Sequence, residues 1–181
     1  FPFTGGCHHA DGCEGFLSDC SNCPQLAGCL DINFAATQLV LKKTSLQKKL
    51  NLTIVTPSQW LNHLSYKSDL FKSYPHYTIA NGINENIFTT TQKSTARKIL
   101  NLPSDKKIIL FVAQSVNNPR KGIELLLKAF NYIKTDNILL VSIGRKPGNI
   151  LTDIPCIHLG SINDVEKISL VYQAADVFLL P

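Results

Sequence analysis

Hydrophobic residues follow two patterns in turn along this chain. Short continuous apolar runs predict strands, and apolar residues at helical spacing predict helices between them. Short runs of continuous apolar residues, such as the segment KIILFVA, are typical of strands that are buried on both faces of a parallel sheet. The predicted strands lie at 52–56, 77–81, 107–113, 137–144, 156–160 and 176–181.

Between these strands, apolar residues recur at helical spacing, as Ile123, Leu126 and Phe130 do on one predicted face. The predicted helices lie at 33–50, 58–71, 93–101, 122–134 and 163–175. Strands that alternate with helices pair in parallel through crossover connections, so the pattern predicts an α/β fold with Rossmann-like layers.

The first 31 residues lack this periodicity and are rich in glycine and cysteine, which indicates a structured loop. A domain boundary is predicted near residues 82–92, in the segment GINENIFTTTQ. We therefore divide the chain into residues 1–84, with a cysteine-rich loop at 5–29, and residues 85–181.

The composition is that of a globular protein, with 44% hydrophobic and 17% charged residues. No apolar run reaches the roughly 18 residues that a membrane span needs, and the first residues lack the basic and apolar parts of a signal peptide. We therefore expect a cytoplasmic protein. The sequence contains no methionine and ends on an apolar predicted strand, so we expect the middle of a longer protein.

The net charge of +5 is unevenly distributed. Residues 85–181 contain 12 Lys and Arg against 8 Asp and Glu, whereas residues 1–84 are close to neutral. This excess of positive charge favours an anionic ligand for the second part, although lysines exposed on helix faces explain the same excess.

Candidate chemistry in the second part lies where strands end, because ligands in an open α/β sheet bind beyond the carboxyl ends of the strands. Strand 107–113 is followed by the loop QSVNNPRKG, in which Arg120 and Lys121 stand just before a predicted helix. Two cations and the free N–H groups of a helix start suit a diphosphate, and an exposed basic loop is the alternative. Gly144 and Gly160 end two further strands and would let a ligand approach the backbone.

Several segments of this chain resemble a known family. NGINENIF, KIILFVAQSVNNPRKGIELLLKAF, LLVSIG and HLGSINDVEKISLVYQAADVFLLP are similar to the C-terminal half of family 4 glycosyltransferases. These are retaining enzymes with two Rossmann-like domains, the GT-B fold. FPFTGGCHHADGCEGFLSDCSNCPQL and LTIVTPSQWL resemble the N-terminal domain of a bacterial subgroup that builds surface polysaccharides. The resemblance implies two incomplete domains, the end of an acceptor-side domain in residues 1–84 and the start of the donor domain in residues 85–181.

The resemblance also implies a donor site in the second part. Lys121 matches the lysine that binds the donor diphosphate, and Arg120 would supply the charge of a family arginine whose position holds Gln114 here. Ile162 matches a position whose backbone meets the nucleotide base. The expected donor-binding residues are Gln114, Arg120, Lys121, Gly144, Gly160 and Ile162, with Arg120 and Lys121 acting in catalysis.

On the acceptor side, the resemblance implies roles for Gly5 and Gly6, and we add His8. A metal ligand and a hydrogen-bonded loop residue are the alternative interpretations of His8. The paired glutamates that hold the donor sugar in this family would follow Pro181, so the isolated chain is expected to be inactive.

The implied activity is transfer of a sugar, with retention, from a UDP- or GDP-linked donor to a polysaccharide or lipid-linked acceptor. No cofactor is expected for catalysis, because cations and helix N–H groups would stabilise the leaving diphosphate without a divalent metal. A GT-B sugar-nucleotide epimerase or phosphorylase and a non-catalytic, zinc-stapled binding module are the alternatives.

A cluster of cysteines opens the chain with the spacing C-x5-C-x6-C-x2-C, from Cys7, Cys13, Cys20 and Cys23. The C-x2-C pair is typical of a zinc knuckle, and a reducing cytosol disfavours disulfides. Residues 1–41 contain no Lys or Arg that could stabilise thiolates, and a nucleic-acid finger would be basic, so no nucleic-acid partner is expected. We predict a structural zinc on these four cysteines, with reduced thiols, disulfides and an Fe–S cluster as alternatives.

Four lysines follow closely on one another near the end of the first predicted helix: Lys42, Lys43, Lys48 and Lys49. Because acceptors of the resembled family are often lipid-linked, these lysines predict weak peripheral association with anionic lipid at the inner face of the plasma membrane. A solvated helix face is the alternative interpretation.

Overall fold

A computed structural model describes residues 1–46, 51–90, 92–133, 136–145 and 154–180. The chain divides into two compact units, Phe1–Gly82 and Ile83–Pro181. The sequence analysis placed this division between residues 84 and 85. No helix in the described ranges combines the length and the apolar character that crossing a membrane requires.

The first unit begins with the cysteine-rich segment, which contains 3-10 turns at Gly15–Leu17 and Pro24–Leu26 and is otherwise irregular. The elements that follow are α1 (Phe34–Leu46), β1 (Ile54–Thr56), α2 (Gln59–Lys67) and β2 (His76–Thr78). β1 and β2 pair in parallel, in agreement with the predicted fold class. Residues 47–50, at the end of the first predicted helix, lie outside the described residues.

Serine side chains fix both ends of α2. Ser58 caps its amino end by accepting a hydrogen bond from the Leu61 N–H at 3.2 Å. The helix was predicted to reach residue 71 but ends at Lys67, where Ser68 turns into an extended conformation. The Ser68 hydroxyl donates to the Ser65 carbonyl at 2.6 Å, so a local hydrogen bond competes there with continuation of the helix.

The second unit alternates helices and strands. Its elements are α3 (Lys93–Ile99), β3 (Lys107–Ser115), α4 (Ile123–Phe130), β4 (Ile138–Arg145), β5 (Cys156–His158), α5 (Val165–Ala174) and β6 (Val177–Leu179). The described strands of this unit form one parallel sheet in the order β5-β4-β3-β6. The α/β fold with parallel sheets, which the hydrophobic periods predicted, is confirmed.

Alternate residues of β3 face opposite helical layers, because successive side chains of a strand point to opposite faces of the sheet. Ile108 and Leu110 lie in one core cluster with residues of α3 and α5. Phe111 lies in a second cluster with Ile123 and Leu126 of α4. Helices cover both faces of this sheet, which explains why its central strands are apolar throughout.

Asp176 joins the amino ends of β3 and β6. Its carboxylate accepts hydrogen bonds from the Ile108 N–H at 2.7 Å, from Arg97 at 2.6 Å and from Lys93 at 2.7 Å. Burial alone would raise the pKa of Asp176, but these hydrogen bonds outweigh burial and lower the pKa to about 2. Arg97 is only 5% exposed and also donates to the Ala174 carbonyl at 3.0 Å, so the buried cation is paired and hydrogen-bonded.

We predict that Asp176→Asn lowers the free energy of unfolding of the second unit by about 2 kcal/mol at neutral pH, because Arg97 loses its charged partner. The pKa of Asp176 is about 2 in the folded chain, whereas that of an unfolded aspartate is about 3.9. The stabilisation is therefore present above the unfolded pKa and is lost as the pH falls towards 2. Urea unfolding, followed by far-ultraviolet circular dichroism at neutral and acid pH, measures the effect.

Asp105→Asn is the matched control, since Asp105 is an exposed aspartate of the same unit. Tryptophan fluorescence gives a second control, because the single tryptophan, Trp60, lies in the first unit. Equal losses in the two variants, or a difference that persists unchanged in acid, would contradict the role given to Asp176.

Candidate functional site

The order of strands in the second unit determines where a ligand can bind. From β3 the chain continues to β4 and β5 on one side, and it then returns to add β6 on the other side of β3. Such a reversal opens a crevice beyond the carboxyl ends of the strands that flank it. The carboxyl end of β3, at Ser115, therefore lies at the topological switch point of the sheet.

A cavity of about 350 Å³ lies at this carboxyl edge. The ends of β3 and β4, the loop after β5 and one residue of α5, Ile168, line it. Three of the predicted donor-binding residues, Gln114, Gly144 and Ile162, share this cavity. Gly160 is held beside it, because its carbonyl accepts a hydrogen bond from the Gly144 N–H at 2.9 Å.

Gly144 allows the ends of β3 and β4 to approach each other closely. Its φ is 134°, a conformation that residues with a side chain rarely adopt. A Cβ atom at this position would lie 1.8 Å from the carbonyl oxygen of Ala113. The wall of the cavity therefore requires glycine at position 144.

Arg120 and Lys121 lie in a 3-10 turn, Pro119–Lys121, directly before α4. The Asn118 side chain starts this turn by accepting from the Arg120 N–H at 3.1 Å, and Gly122 ends it with a φ of 71°. No side chain among the described residues caps the amino end of α4. Arg120 is exposed and Lys121 is half-buried. They follow β3 at the same edge of the sheet as the cavity, but neither lines it.

The amino end of α5 differs from that of α4. Asp164 caps α5 by accepting from the N–H groups of Glu166 at 2.9 Å and Lys167 at 3.2 Å. A carboxylate already occupies this helix start and would repel a second anion there. Of the two helix starts at this edge, the one after Arg120 and Lys121 suits a phosphate better.

Arg145 was not among the predicted site residues. This exposed arginine ends β4 and lines the cavity together with Gly144. The signal was present, because Arg145 follows Gly144 at the carboxyl end of a predicted strand, the edge at which ligands bind. Ser161 and Asn163, beside Ile162, also line the cavity and were missed. Nothing in their local sequence separates them from ordinary loop residues.

In the first unit, Gly5 is buried against the first turn of α1. A Cβ atom on Gly5 would lie 2.2 Å from the Ala35 carbonyl oxygen, so this contact also requires glycine. Gly6 is exposed with a φ of 130°, and His8 is exposed. The expected acceptor-side residues therefore form a short segment that is fixed at Gly5 and open to solvent from Gly6 onward.

The four cysteines of the predicted zinc site line one small cavity in the first unit. Burial raises the pKa of the Cys20 thiol, and the neighbouring thiols of Cys7, Cys13 and Cys23 raise it further. A hydrogen bond from the Gly5 N–H acts in the opposite direction and lowers the pKa of Cys20. Across the described ranges, no three His, Cys, Asp or Glu side chains already lie close enough together to hold a metal ion. The cysteines are thus gathered but are not in coordination geometry.

Two of the four lysines that were predicted to meet a membrane have partners inside the first unit. The Lys42 ammonium donates to the carbonyls of Thr4 at 2.7 Å and Pro2 at 3.2 Å. Lys43 forms an ion pair with Asp69. Lys48 and Lys49 lie outside the described residues. Membrane association stays a prediction, but Lys42 and Lys43 are less available to contact anionic lipid than the sequence alone indicated.

Comparison with known proteins identifies the second unit. Residues 92–181 match the family described as glycosyl transferases group 1. These residues form a glycosyltransferase group 1 domain. The cavity, Arg120 and Lys121 all lie within the matched range, so the candidate site belongs to this glycosyltransferase domain.

Two individual proteins extend this result. D-inositol 3-phosphate glycosyltransferase of Streptosporangium roseum is 32% identical over an alignment of 121 residues, and the match covers 55% of this chain and 27% of that protein. The solved structure of sucrose-phosphate synthase from Thermosynechococcus elongatus matches with a TM-score of 0.62 and 25% identity, over 80% of this chain and 38% of that chain. The chain thus spans between a quarter and two-fifths of these relatives, and it shares the GT-B-like fold of the synthase.

We predict that Gly144→Ala lowers the free energy of unfolding of the glycosyltransferase domain by at least about 3 kcal/mol, because a backbone oxygen blocks the new methyl group. Gly160→Ala should cost only about 1–2 kcal/mol, since its φ of 74° is unfavourable for alanine but no atom lies within 4 Å of an added Cβ. Urea unfolding monitored by circular dichroism measures both changes.

Gly82→Ala controls for glycine replacement itself, because an added Cβ there meets no atom and Gly82 has no left-handed strain. Its unfolding free energy should be unchanged or slightly raised. If Gly144→Ala were no more destabilising than Gly160→Ala, the close approach of β3 and β4 would be wrong.

Proposed function

We propose that the full-length protein transfers a sugar from a nucleoside-diphosphate donor to a glycan or lipid-linked acceptor, with retention at the transferred sugar. The observation that carries this proposal is the cavity of the glycosyltransferase domain at the carboxyl edge of its sheet, on the β4 side of β3, with Gln114, Gly144 and Ile162 on its wall. Its volume, about 350 Å³, is within the range of small-molecule sites.

The nucleoside is proposed to occupy this cavity. Ile162 offers an apolar side chain, and Ser161 and Asn163 beside it offer polar groups, on the same wall. A nucleobase needs an apolar surface for its faces and a few hydrogen-bonding groups for its edge. Gly160 is half-buried, but an added Cβ there would meet no atom within 4 Å, which leaves room for close approach of a flat ring.

The diphosphate is proposed to extend from the cavity towards the start of α4. Lys121 and Arg120 supply positive charge there, and the N–H groups of the first turn of α4 have no side-chain cap. Arg145, on the cavity wall, adds a further cation. Glu124, in the first turn of α4, partly opposes these charges, so binding depends on contact between the phosphates and the lysine and arginine side chains.

The proposed chemistry uses these cations at the step that breaks the bond between the sugar and the diphosphate. Negative charge accumulates on the leaving phosphate oxygens as this bond breaks. Arg120 and Lys121 would stabilise that charge more than they stabilise the bound donor, which lowers the barrier without a divalent cation. Gly5, Gly6 and His8, in the first unit, are proposed to contact the acceptor.

Neither alternative from the sequence analysis gains support. The family match is to glycosyl transferases, and the relatives reported above are a glycosyltransferase and a sucrose-phosphate synthase, so no observation favours an epimerase, a phosphorylase or a non-catalytic binding module. Transfer from a nucleotide sugar therefore remains the single proposal.

We predict that UDP or GDP binds the protein without Mg²⁺ and that Lys121→Ala weakens this binding by about 1.5–3 kcal/mol, the scale of a charge-assisted hydrogen bond. Isothermal titration calorimetry of the full-length protein, in buffer with a chelator, measures the affinity. A prior thermal-shift screen of nucleotide sugars identifies the donor to be used.

Lys128→Ala is the matched control, because Lys128 is an exposed lysine at the opposite end of α4. It should leave the affinity within experimental error. Unchanged affinity in Lys121→Ala would remove Lys121 from the site, and the failure of every nucleotide to bind would refute the proposed function.

A further inference from the structure

The cysteine-rich segment has a chemistry that the glycosyltransferase reaction does not use. Cys7, Cys13, Cys20 and Cys23 line a single cavity of about 40 Å³, and each is half-buried. The fifth cysteine of the segment, Cys29, is exposed and lies outside the cavity lining. The fold therefore places four of the five cysteines of this segment around one cavity.

Two backbone N–H groups already donate to sulfur in this cluster. Gly15 donates to the Cys13 sulfur at 3.4 Å, and Gly5 donates to the Cys20 sulfur at 3.3 Å. A thiol sulfur is a weak acceptor, whereas a thiolate accepts strongly because it carries charge. Hydrogen bonds of this kind orient cysteines around metal ions and tune the charge on their sulfurs.

The backbone around the C-x2-C pair is held in an unfavourable conformation. Cys20 has a φ of 58°, in the left-handed region that cysteine avoids, whereas Asn22, with a φ of 50°, is of a residue type that enters this region more readily. Such a conformation persists when other contacts offset its cost. This segment has only two 3-10 turns of regular structure, so ligation of the cysteines is a suitable source of that stabilisation.

The charges of this segment favour a cation as the ligand of the four cysteines. Residues 1–41 contain no Lys or Arg, and they add Asp11, Glu14, Asp19 and Asp31 to the same region. The nearest lysine in sequence, Lys42, donates to the Thr4 and Pro2 carbonyls instead of to sulfur. Several thiolates gathered at one point would repel one another unless a positive ion lay between them.

We propose that Cys7, Cys13, Cys20 and Cys23 together bind one zinc ion, in a closed tetrahedral site without an open position. Four sulfur ligands suit Zn²⁺, which is most often bound by four ligands in a tetrahedral structural site. Since no three of these side chains are yet in coordination geometry, binding requires the sulfurs to turn inwards about their Cα–Cβ bonds.

This zinc would be structural, and its effect would reach Gly5. The Gly5 N–H contacts the Cys20 sulfur on one side, and Gly5 lies against the Ala35 backbone at the start of α1 on the other. Fixing Cys20 therefore fixes Gly5 and the exposed Gly6 that follows it. The proposed metal site does not depend on the proposed function. Only the contact between Gly6 and an acceptor rests on the proposed function.

The experiment is elemental analysis of the protein after purification without a metal-affinity column, with the free thiols titrated in parallel. We expect about one zinc per chain and zinc–sulfur distances of about 2.3 Å by X-ray absorption. Replacement by cobalt should give the intense visible bands of a tetrahedral thiolate site. Cys20→Ser should lower zinc affinity by more than about tenfold, whereas Cys29→Ser, the matched control, should retain it.

A measurement on the wild-type protein does not depend on whether a cysteine variant folds. A chelator should lower the unfolding midpoint reported by Trp60 fluorescence, since Trp60 lies in the same unit as the cysteines, and should leave nucleotide affinity nearly unchanged. Less than about a tenth of an equivalent of zinc with freely reacting thiols would overturn the proposal in favour of reduced cysteines. Thiols that appear only after reduction, or bound iron with sulfide, would overturn it in favour of a disulfide or an Fe–S cluster.

Discussion

The parallel pairing of β3 with a strand on each side is the constraint on which the second unit depends. β3 forms hydrogen bonds with β4 along most of its length and with β6 over Ile109–Phe111, so it cannot shift without breaking two ladders. Asp176 fixes its amino end through the Ile108 N–H, and Gly144 fixes its carboxyl end through close contact with Ala113. The loop that bears Arg120 and Lys121 starts from this fixed point.

Helices and strands could be predicted wherever a segment shows a single hydrophobic pattern, either the spacing of a helix or the continuous run of a buried strand. β3 and β4 are covered on both faces, so their continuous apolar runs follow from their environment, and the parallel sheet follows from the alternation with helices. Element ends were less predictable. α2 stops at Ser68 through a hydroxyl-to-carbonyl hydrogen bond, a competition that hydrophobic spacing does not record.

The candidate site was only partly predictable, for a different reason. Gln114, Gly144 and Ile162 come from the end of β3, the end of β4 and the loop after β5, and their convergence follows from strand order, which the fold class implies. The position of Arg145, in contrast, follows a register shift between Val112 and Ser115, after which Arg145 pairs with Ser115. Likewise, charge alone gave Lys42 and Lys43 the appearance of a free basic surface, although backbone carbonyls and Asp69 engage them.

Both units contain a glycine pressed against a backbone carbonyl, but they stabilise it by different means. Gly144 is held at the Ala113 oxygen by two strands whose ladders extend well into the core. Gly5 is held at the Ala35 oxygen by a segment with almost no regular structure, and its N–H contact is to a cysteine sulfur. A sheet fixes its glycine through many cooperative hydrogen bonds, whereas an irregular loop must rely on a few strong links. The proposed zinc on the four cysteines would supply one such link beside Gly5, whereas the ladders of β3 and β4 already hold Gly144.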